Sequence, residues 1–410
     1  MEPVYGQMAA IDVHKSMMAT VIMDRQGADR PCLRRKFGAS QPQMQLLSQW
    51  LREHQVRVVV MESTAQYWKG VWSSLEGEFV VHLAQARSNA APHGRKTDYA
   101  DAERLLRRLM AGDLRLSYVP DAEQRGWRML ARSRVQMTRQ RVRLRNQIEA
   151  LLEEGQIKLS TVVSDLLGTS ARRILAALAA GTTELASLTA LASEHLRATD
   201  EQLAEALDGH LDDDHRGLLR MYLEQVELLD GQIEEIGQRL GKRLQSYQPV
   251  LERLCEVPGV SVDSAQQLLA EVGPQATAFP SAGHLASWIG VCPGRQESAG
   301  HSISDRSPKG SRPVRRILNQ MAWAAVRTKD THFQHLFWRL VPRLGTQKAL
   351  WAVAHRLSRV LWKILHEHVE YVEYGLRHPA TARKRKHRLL RELRRMGYSV
   401  QLTPVPVPRA

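Results

Sequence analysis

Apolar and polar positions change their period several times along the first hundred residues. Val4–Val13 and Met17–Met23 are apolar runs joined by the short polar stretch His14–Lys15–Ser16, which predicts two strands. Cys32–Phe37 predicts a third strand, with arginines marking an exposed face. In Gln41–His54, residues Met44, Leu46, Leu47, Trp50 and Leu51 fall at helical spacing. The run VRVVVM (Val56–Met61) reads as a short buried strand and Glu78–Leu83 as another. Strands and a helix in this order predict a mixed α/β sheet domain.

From Asp98 to about Glu154 the pattern turns helical, and residues 160–210, rich in Ala and Leu, predict short packed helices. Leu219, Tyr222, Val226, Leu229, Ile233, Ile236 and Leu240 then recur at alternating steps of three and four. That a/d seam fits a coiled coil between chains or an ordinary core-facing helix, and both readings stay open. A third unit begins near Pro249. Its segment Leu254–Gly273 predicts a helix, a tight Pro258–Gly259 hairpin and an Ala/Leu-rich helix, a pattern that resembles the DNA-binding helix-hairpin-helix. An apolar helix over Leu285–Val291 leads into a loop dense in Gly, Ser and basic residues, and the nearby aromatics pack helical faces. The chain shows no internal repeat, and its last residues, QLTPVPVPRA, read as disordered.

Charge changes the picture more than composition does. The 410 residues carry 58 Lys and Arg against 43 Asp and Glu, a formal net charge of +15 that fits a polyanionic partner. The basic residues are clustered. Residues 121–145 hold eight arginines (among them Arg125, Arg128, Arg132 and Arg139) and two acids, more than a solvated helix face needs. Lys309, Arg312, Arg315 and Arg316 follow the Gly/Ser loop, and a basic tail holds eight Lys or Arg within residues 383–395. These groups are expected to contact phosphates. Three distant cysteines, Cys32, Cys255 and Cys292, predict no disulfide and a reducing cytosol. The early acid and base of the N-terminus and the lack of a long apolar run predict an intracellular protein without a membrane span.

Four carboxylates stand out inside this basic chain. Asp12 ends one strand, Glu62 ends another, and Asp98 and Asp101 lie three apart at a helix start and so share one face. Converging, they would present hard oxygen ligands suited to Mg²⁺, which clamps the attacking and leaving oxygens in phosphoryl transfer. Caps and helix-dipole partners are the plainer explanation for the helical pair. Arg95 and Lys96 fit either phosphate contacts or solvated loop charges. The HEH pair His366 and His368 points to two helix faces and predicts no metal site.

The motifs IDVHK, MESTAQYW and KTDYADAERL, followed by VPGVSVDSAQQLLAEVG and ASWIGVCPGRQESAGHSISDRSPKGSRPVRRIL, resemble the transposases of insertion-sequence family 110 over nearly the whole chain. The resemblance implies an α/β plus α architecture. Residues 1–155 would form a RuvC-like, ribonuclease H-type sheet domain, and 156–248 a helical coiled-coil connector. Residues 249–345 would be a mainly α serine transposase domain with the helix-hairpin-helix, and 346–410 C-terminal helices with the basic tail. It implies Mg²⁺ on Asp12, Glu62, Asp98 and Asp101, and a serine that forms a 5′-phosphoserine link to DNA. The family loop commonly reads S-S-G-G-K. Here it reads Glu297–Ser298–Ala299–Gly300–His301, which makes Ser298 the expected nucleophile, with Ser302 and Ser304 behind it.

The implied partners are donor and target DNA, a structured non-coding guide RNA, and further copies of the chain as a dimer or a synaptic tetramer. The implied setting is the bacterial cytoplasm, at the nucleoid. Two rival readings use the same residues: a Holliday-junction-type endonuclease that cuts with water, and a non-catalytic architectural protein whose acids are caps and surface charges.

Overall fold

The structure is a computed structural model that describes residues 7–24, 32–63, 65–85, 97–193, 196–294, 296–298, 301–304, 307–373, 389–391 and 393–400. The side chains of Asp24 and of residues 296–298 and 301–304 are outside the description. The chain divides into two compact units, residues 1–122 and 123–410.

In the first unit the predicted strand segments become β1 (Gln7–Val13), β2 (Met17–Asp24) and β3 (Leu33–Gly38), each antiparallel to the next. The unbroken apolar run becomes β4 (Val56–Glu62), parallel to β1 on one side and to β5 (Val80–Ala84) on the other. Valine on both faces suits a central strand that is covered on both sides. A two-residue strand β6 (Leu116–Ser117), too short to leave a periodic signature, closes a six-stranded mixed sheet of order β3-β2-β1-β4-β5-β6.

Helices cover both faces. α1 (Gln41–Glu53) and α2 (Trp68–Leu75) bury Leu47, Leu51, Val71 and Leu75 against Ala9, Ile11, Val59 and Met61. α3 (Asp98–Met110) buries Ala102, Leu105 and Leu106 against Met8, Ala10, Val58 and Val60. Thr97 caps α3, its hydroxyl accepting from the Ala100 N–H at 3.3 Å. Alternation thus assigns the even-numbered residues of β1 and of Val58–Glu62 to the α3 face.

The second unit is helical. Its first half holds α4 (Ala122–Glu154), α5 (Leu159–Val162), α6 (Thr169–Ala179), α7 (Leu185–Thr189), α8 (Asp200–Leu207) and α9 (Asp213–Arg243). α10 (Gln248–Cys255), α11 (Val262–Val272), α12 (Ala282–Ile289), α13 (Arg312–Arg327) and α14 (His332–His366) follow. α14 is kinked at Gly345, whose φ is 74°. α4 joins two cores. Its N-terminal half buries Trp127 and Ala131 with α10–α14, and its C-terminal half buries Ile148, Leu151 and Leu152 with α5–α9.

The heptad seam is used inside the chain. Leu219 and Val226 are buried beside Leu144 and Ile148 of α4, Leu240 is buried in the other core, and Arg141 pairs with Asp230 at 2.5 Å. This pattern runs α9 antiparallel to α4 and gives Leu219, Val226 and Leu240 a core-facing role within the chain. Phe333, Phe337 and Trp362 pack into the core as expected, but Trp338 is 61% exposed. Where a Gly/Ser loop was expected, β7 (Gln296–Ser298) and β8 (His301–Ser304) form an antiparallel hairpin. The three cysteines are free. Among the described residues, no helix is long and apolar enough to cross a membrane.

Candidate functional site

In the first unit the four predicted carboxylates lie at one end of the sheet. Ile11 pairs with Met61, so Asp12 and Glu62 are the next residues at the C-terminal ends of adjacent parallel strands. Both fall on the face that α3 covers, and the first turn of α3 carries Asp98 and Asp101. Asp98 Oδ1 lies 3.5 Å from His14 Nε2, and Asp12 Oδ2 lies 3.1 Å from the same nitrogen. Ligand atoms of Asp12, His14 and Asp98 all fall within 4.8 Å of one another, a spacing one cation can span. Asp101 pairs with Arg104 at 2.9 Å and sits close enough to Asp12 to act on its ionisation.

Burial pushes the Asp12 carboxyl above its usual range, and the neighbouring charges of Asp101 and Asp98 push the same way against His14. The Asp98 carboxyl is held below its usual range, chiefly by the hydrogen bond from Lys36 Nζ at 3.0 Å. Acidic oxygens gathered at a strand end, with Lys36 and His14 lying against them, make a donor set suited to a hard divalent cation. His14 and Lys36 were missed as members of this cluster. The available signal was spacing: His14 stands two residues beyond Asp12, just past the end of β1.

The predicted basic contacts divide once their partners are seen. Arg132 donates to both oxygens of Glu271, at 2.7 and 2.8 Å, and Glu271 is 2% exposed. Arg128 donates to the carbonyls of Ala270 and Glu271, at 3.2 and 2.5 Å. Both guanidiniums therefore fasten α4 to the end of α11. Arg315 stacks on Trp351, 4.4 Å from the ring centroid, and donates to the carbonyl of Gly290. It anchors the loop before α13, where Gly290 and Gly310 cross so closely that a Cβ on Gly310 would lie 2.1 Å from the Ile289 carbonyl oxygen. Arg125 is half-buried, Lys309, Arg312 and Arg139 are exposed, and Arg316 donates to the side-chain oxygens of Gln267 and Gln320.

The Pro258–Gly259 turn joins α10 to α11 as expected. Gly259, with φ 85°, abuts α13: an added Cβ would lie 2.4 Å from the Met321 oxygen and the Ala325 nitrogen. Ser298 is the last residue of β7 and pairs with His301, but its side chain lies outside the described residues, as do those of Ser302 and Ser304. Arg95, Lys96, residues 383–388 of the basic tail and residues 401–410 also lie outside them. His366 stacks on Trp362 at 4.4 Å and faces the Gln275 carbonyl, which accounts for it without a metal.

Two family models match the chain. A DEDD transposase model of the IS110 type matches residues 9–157, which hold the acidic cluster. A model described as transposase, IS116/IS110/IS902 family, matches residues 251–337, from α10 into α14. The chain belongs to the IS110 family of transposases. A probable family 20 transposase of Pseudomonas aeruginosa PAO1 is 26% identical over 318 residues, 75% of this chain and 83% of the relative. A putative transposase of Sinorhizobium fredii NGR234, y4pF/y4sB, is 23% identical over 371 residues, 89% of this chain and 86% of that one. The insertion element IS110 uncharacterized 43.6 kDa protein of Streptomyces coelicolor is 35% identical over 79 residues, 19% of each chain. The IS110-family chain is thus an enzyme that recombines DNA, which sets the architectural reading aside.

Proposed function

We propose that this transposase excises and inserts its element by a serine-based strand transfer assisted by a divalent ion, Mg²⁺, under the direction of a structured non-coding RNA. The observation that carries the metal-assisted part is the convergence of Asp12 and Asp98, with Asp101 beside them and Glu62 on the adjoining strand end. The order β3-β2-β1-β4-β5, three antiparallel strands followed by two parallel ones, supports a RuvC-like, ribonuclease H-type domain. Asp12, Glu62, Asp98 and Asp101 would hold the ion. When bound, it supplies positive charge against the charge that develops on the transferred phosphoryl oxygens.

The chain's own residues do the rest. Lys36 and His14 offset the repulsion among the carboxylates and keep Asp98 and Asp12 turned towards each other. Ser298 Oγ attacks the phosphorus of a phosphodiester. The new bond is Oγ–P, the bond broken is P–O3′, and the serine proton ends on the departing 3′ oxygen. Attack by another strand's 3′-hydroxyl reverses the exchange, restores the serine and joins the DNA. A serine ester conserves the phosphodiester energy, which separates recombination from hydrolysis by water. The guide RNA follows from the family resemblance and suits the net charge of +15.

Two experiments test the proposal. Cleavage of DNA carrying an element end, titrated with Mg²⁺, should fall by at least about 100-fold in Asp12→Ala and in Asp101→Ala, with unchanged far-UV circular dichroism. Full activity in either variant breaks the carboxylate assignment. Sequencing the RNA that stays bound to the protein from its native host should give one discrete species mapping beside the gene. A smear of unrelated RNA would require the guided reading to be withdrawn.

A further inference from the structure

Outside the carboxylate cluster, the second unit carries a cleft of about 230 Å³ between α4, α11 and α13 in which Arg132, Arg139, Arg312 and Arg316 meet Gln267 and Glu271. The charges in it do not balance. Among the described residues Glu271 is its one carboxylate, and both of its oxygens are taken by Arg132. Nearby Asp263 pairs with Arg134 and accepts from the Gln267 amide at 2.7 Å. Arg316 is left with carbonyl oxygens, of Gln267 at 2.5 Å and of Gln320 at 3.1 Å. Among the described residues, Arg139 and Arg312 have no carboxylate within ion-pair distance. Burial, and next the charge of Arg139, hold the Arg316 guanidinium below the usual arginine range, against the weaker pull of Asp263 and Glu271.

Like charges gathered in one cleft, here with Arg316 half-buried, cost stability in the free protein and focus a field that draws an anion. A structural role would pair these guanidiniums, as it pairs Arg128, Arg132 and Arg134. We infer that the α4–α11–α13 cleft is a binding site for the phosphodiester backbone of a nucleic acid, with Arg139, Arg312 and Arg316 as its phosphate ligands. Planar guanidiniums with several free N–H donors match two oxygens of a phosphate at once. The contact is to backbone and reads no sequence, so it holds a strand in register while other parts of the protein act on it. The inference rests on the chain's being a nucleic-acid enzyme and adds where the backbone is gripped.

The test uses the full chain with two fluorescein-labelled probes, a duplex DNA and an RNA hairpin of equal charge. Fluorescence anisotropy is read from about 50 to 200 mM KCl, where each lost phosphate contact lowers the slope of log K against log salt by about 0.9 on duplex. Arg139→Gln with Arg312→Gln should lower the slope by about 1.8 on whichever strand the cleft holds. A loss on DNA alone, on RNA alone or on both supports the site and names its source. A control, Arg239→Gln with Arg343→Gln, removes the same charge elsewhere and should leave the slope near the parent's. Unchanged slopes in the cleft variant on both probes, or an equal loss in the control, overturn the site. A parent that binds neither probe removes the nucleic-acid reading with it. A second readout needs no ligand: Arg139→Gln alone should unfold at the parent's temperature or above, because it relieves Arg316. A clear drop would give Arg139 a packing role and overturn the inference.

Discussion

Replacing the two partners of the Arg132–Glu271 pair one at a time should give unequal losses, because only one of them reaches water. The Glu271 side chain is 3% exposed and the Arg132 side chain 47%. In Arg132→Met the aliphatic stem still packs, but the buried carboxylate loses both of its short guanidinium hydrogen bonds and, among the described residues, keeps one ion pair, with Arg128 at 3.6 Å. An uncompensated buried charge costs about 3–5 kcal/mol. In Glu271→Gln the guanidinium keeps one oxygen and rehydrates at its exposed side, so the loss should be about 1–2 kcal/mol. The double variant strands no charge and should lose clearly less than the sum, with a coupling of about 1–3 kcal/mol. Trp127, 2% exposed in the core this pair closes, reports urea unfolding by its fluorescence. Losses that add to within about 0.5 kcal/mol, or a larger loss for Glu271→Gln, would refute this reasoning. Arg132 would then be free for phosphate.

Leu219→Ala should destabilise the chain by about 2–5 kcal/mol and leave its sedimentation coefficient unchanged, because Leu219 is buried within the chain. Dissociation of an oligomer without loss of monomer stability would return the seam to an intermolecular role. The folded protein holds the Asp12 proton more tightly than the unfolded chain does, so this residue's contribution to stability falls as the carboxyl ionises. Asp12→Asn should therefore raise the melting temperature of the metal-free protein at neutral pH. The gain should shrink as the pH falls through the raised Asp12 value, and no gain at neutral pH would contradict it. Asp98 works the other way. Its stabilisation is present above the ordinary value of 3.8 and is lost as the pH falls through its lower folded value.

The sequence was most legible where one residue's fate depends on near neighbours. Apolar runs located β1, β2 and β4, and helical spacing located α1 and the start of α3, so both pairs of acids could be placed at element ends. What was hidden lay in long-range pairing. The arginine-rich helix reads as one exposed basic surface, yet Arg128 and Arg132 find their partners 139–143 residues away in α11. Trp127 and Ala131 pack with α10–α14, so the division into units falls at residue 122, before the helical pattern ends. The β7–β8 hairpin hid in a Gly/Ser-rich stretch whose strands are three and four residues long, too short for a period to show. His14 was hidden by its neighbours, as a polar residue in a turn reads as a connection until the sheet brings Asp98 to it.

The proposed strand exchange attaches DNA covalently to Ser298. The most direct measurement is denaturing electrophoresis of the protein after reaction with labelled element-end DNA and Mg²⁺, with peptide mass spectrometry of any shifted band. A labelled adduct is expected on the peptide holding Ser298, and it should disappear in Ser298→Ala, which should still bind the DNA. An adduct that persists in Ser298→Ala, or recombined product from a protein that passes through no adduct, would contradict it.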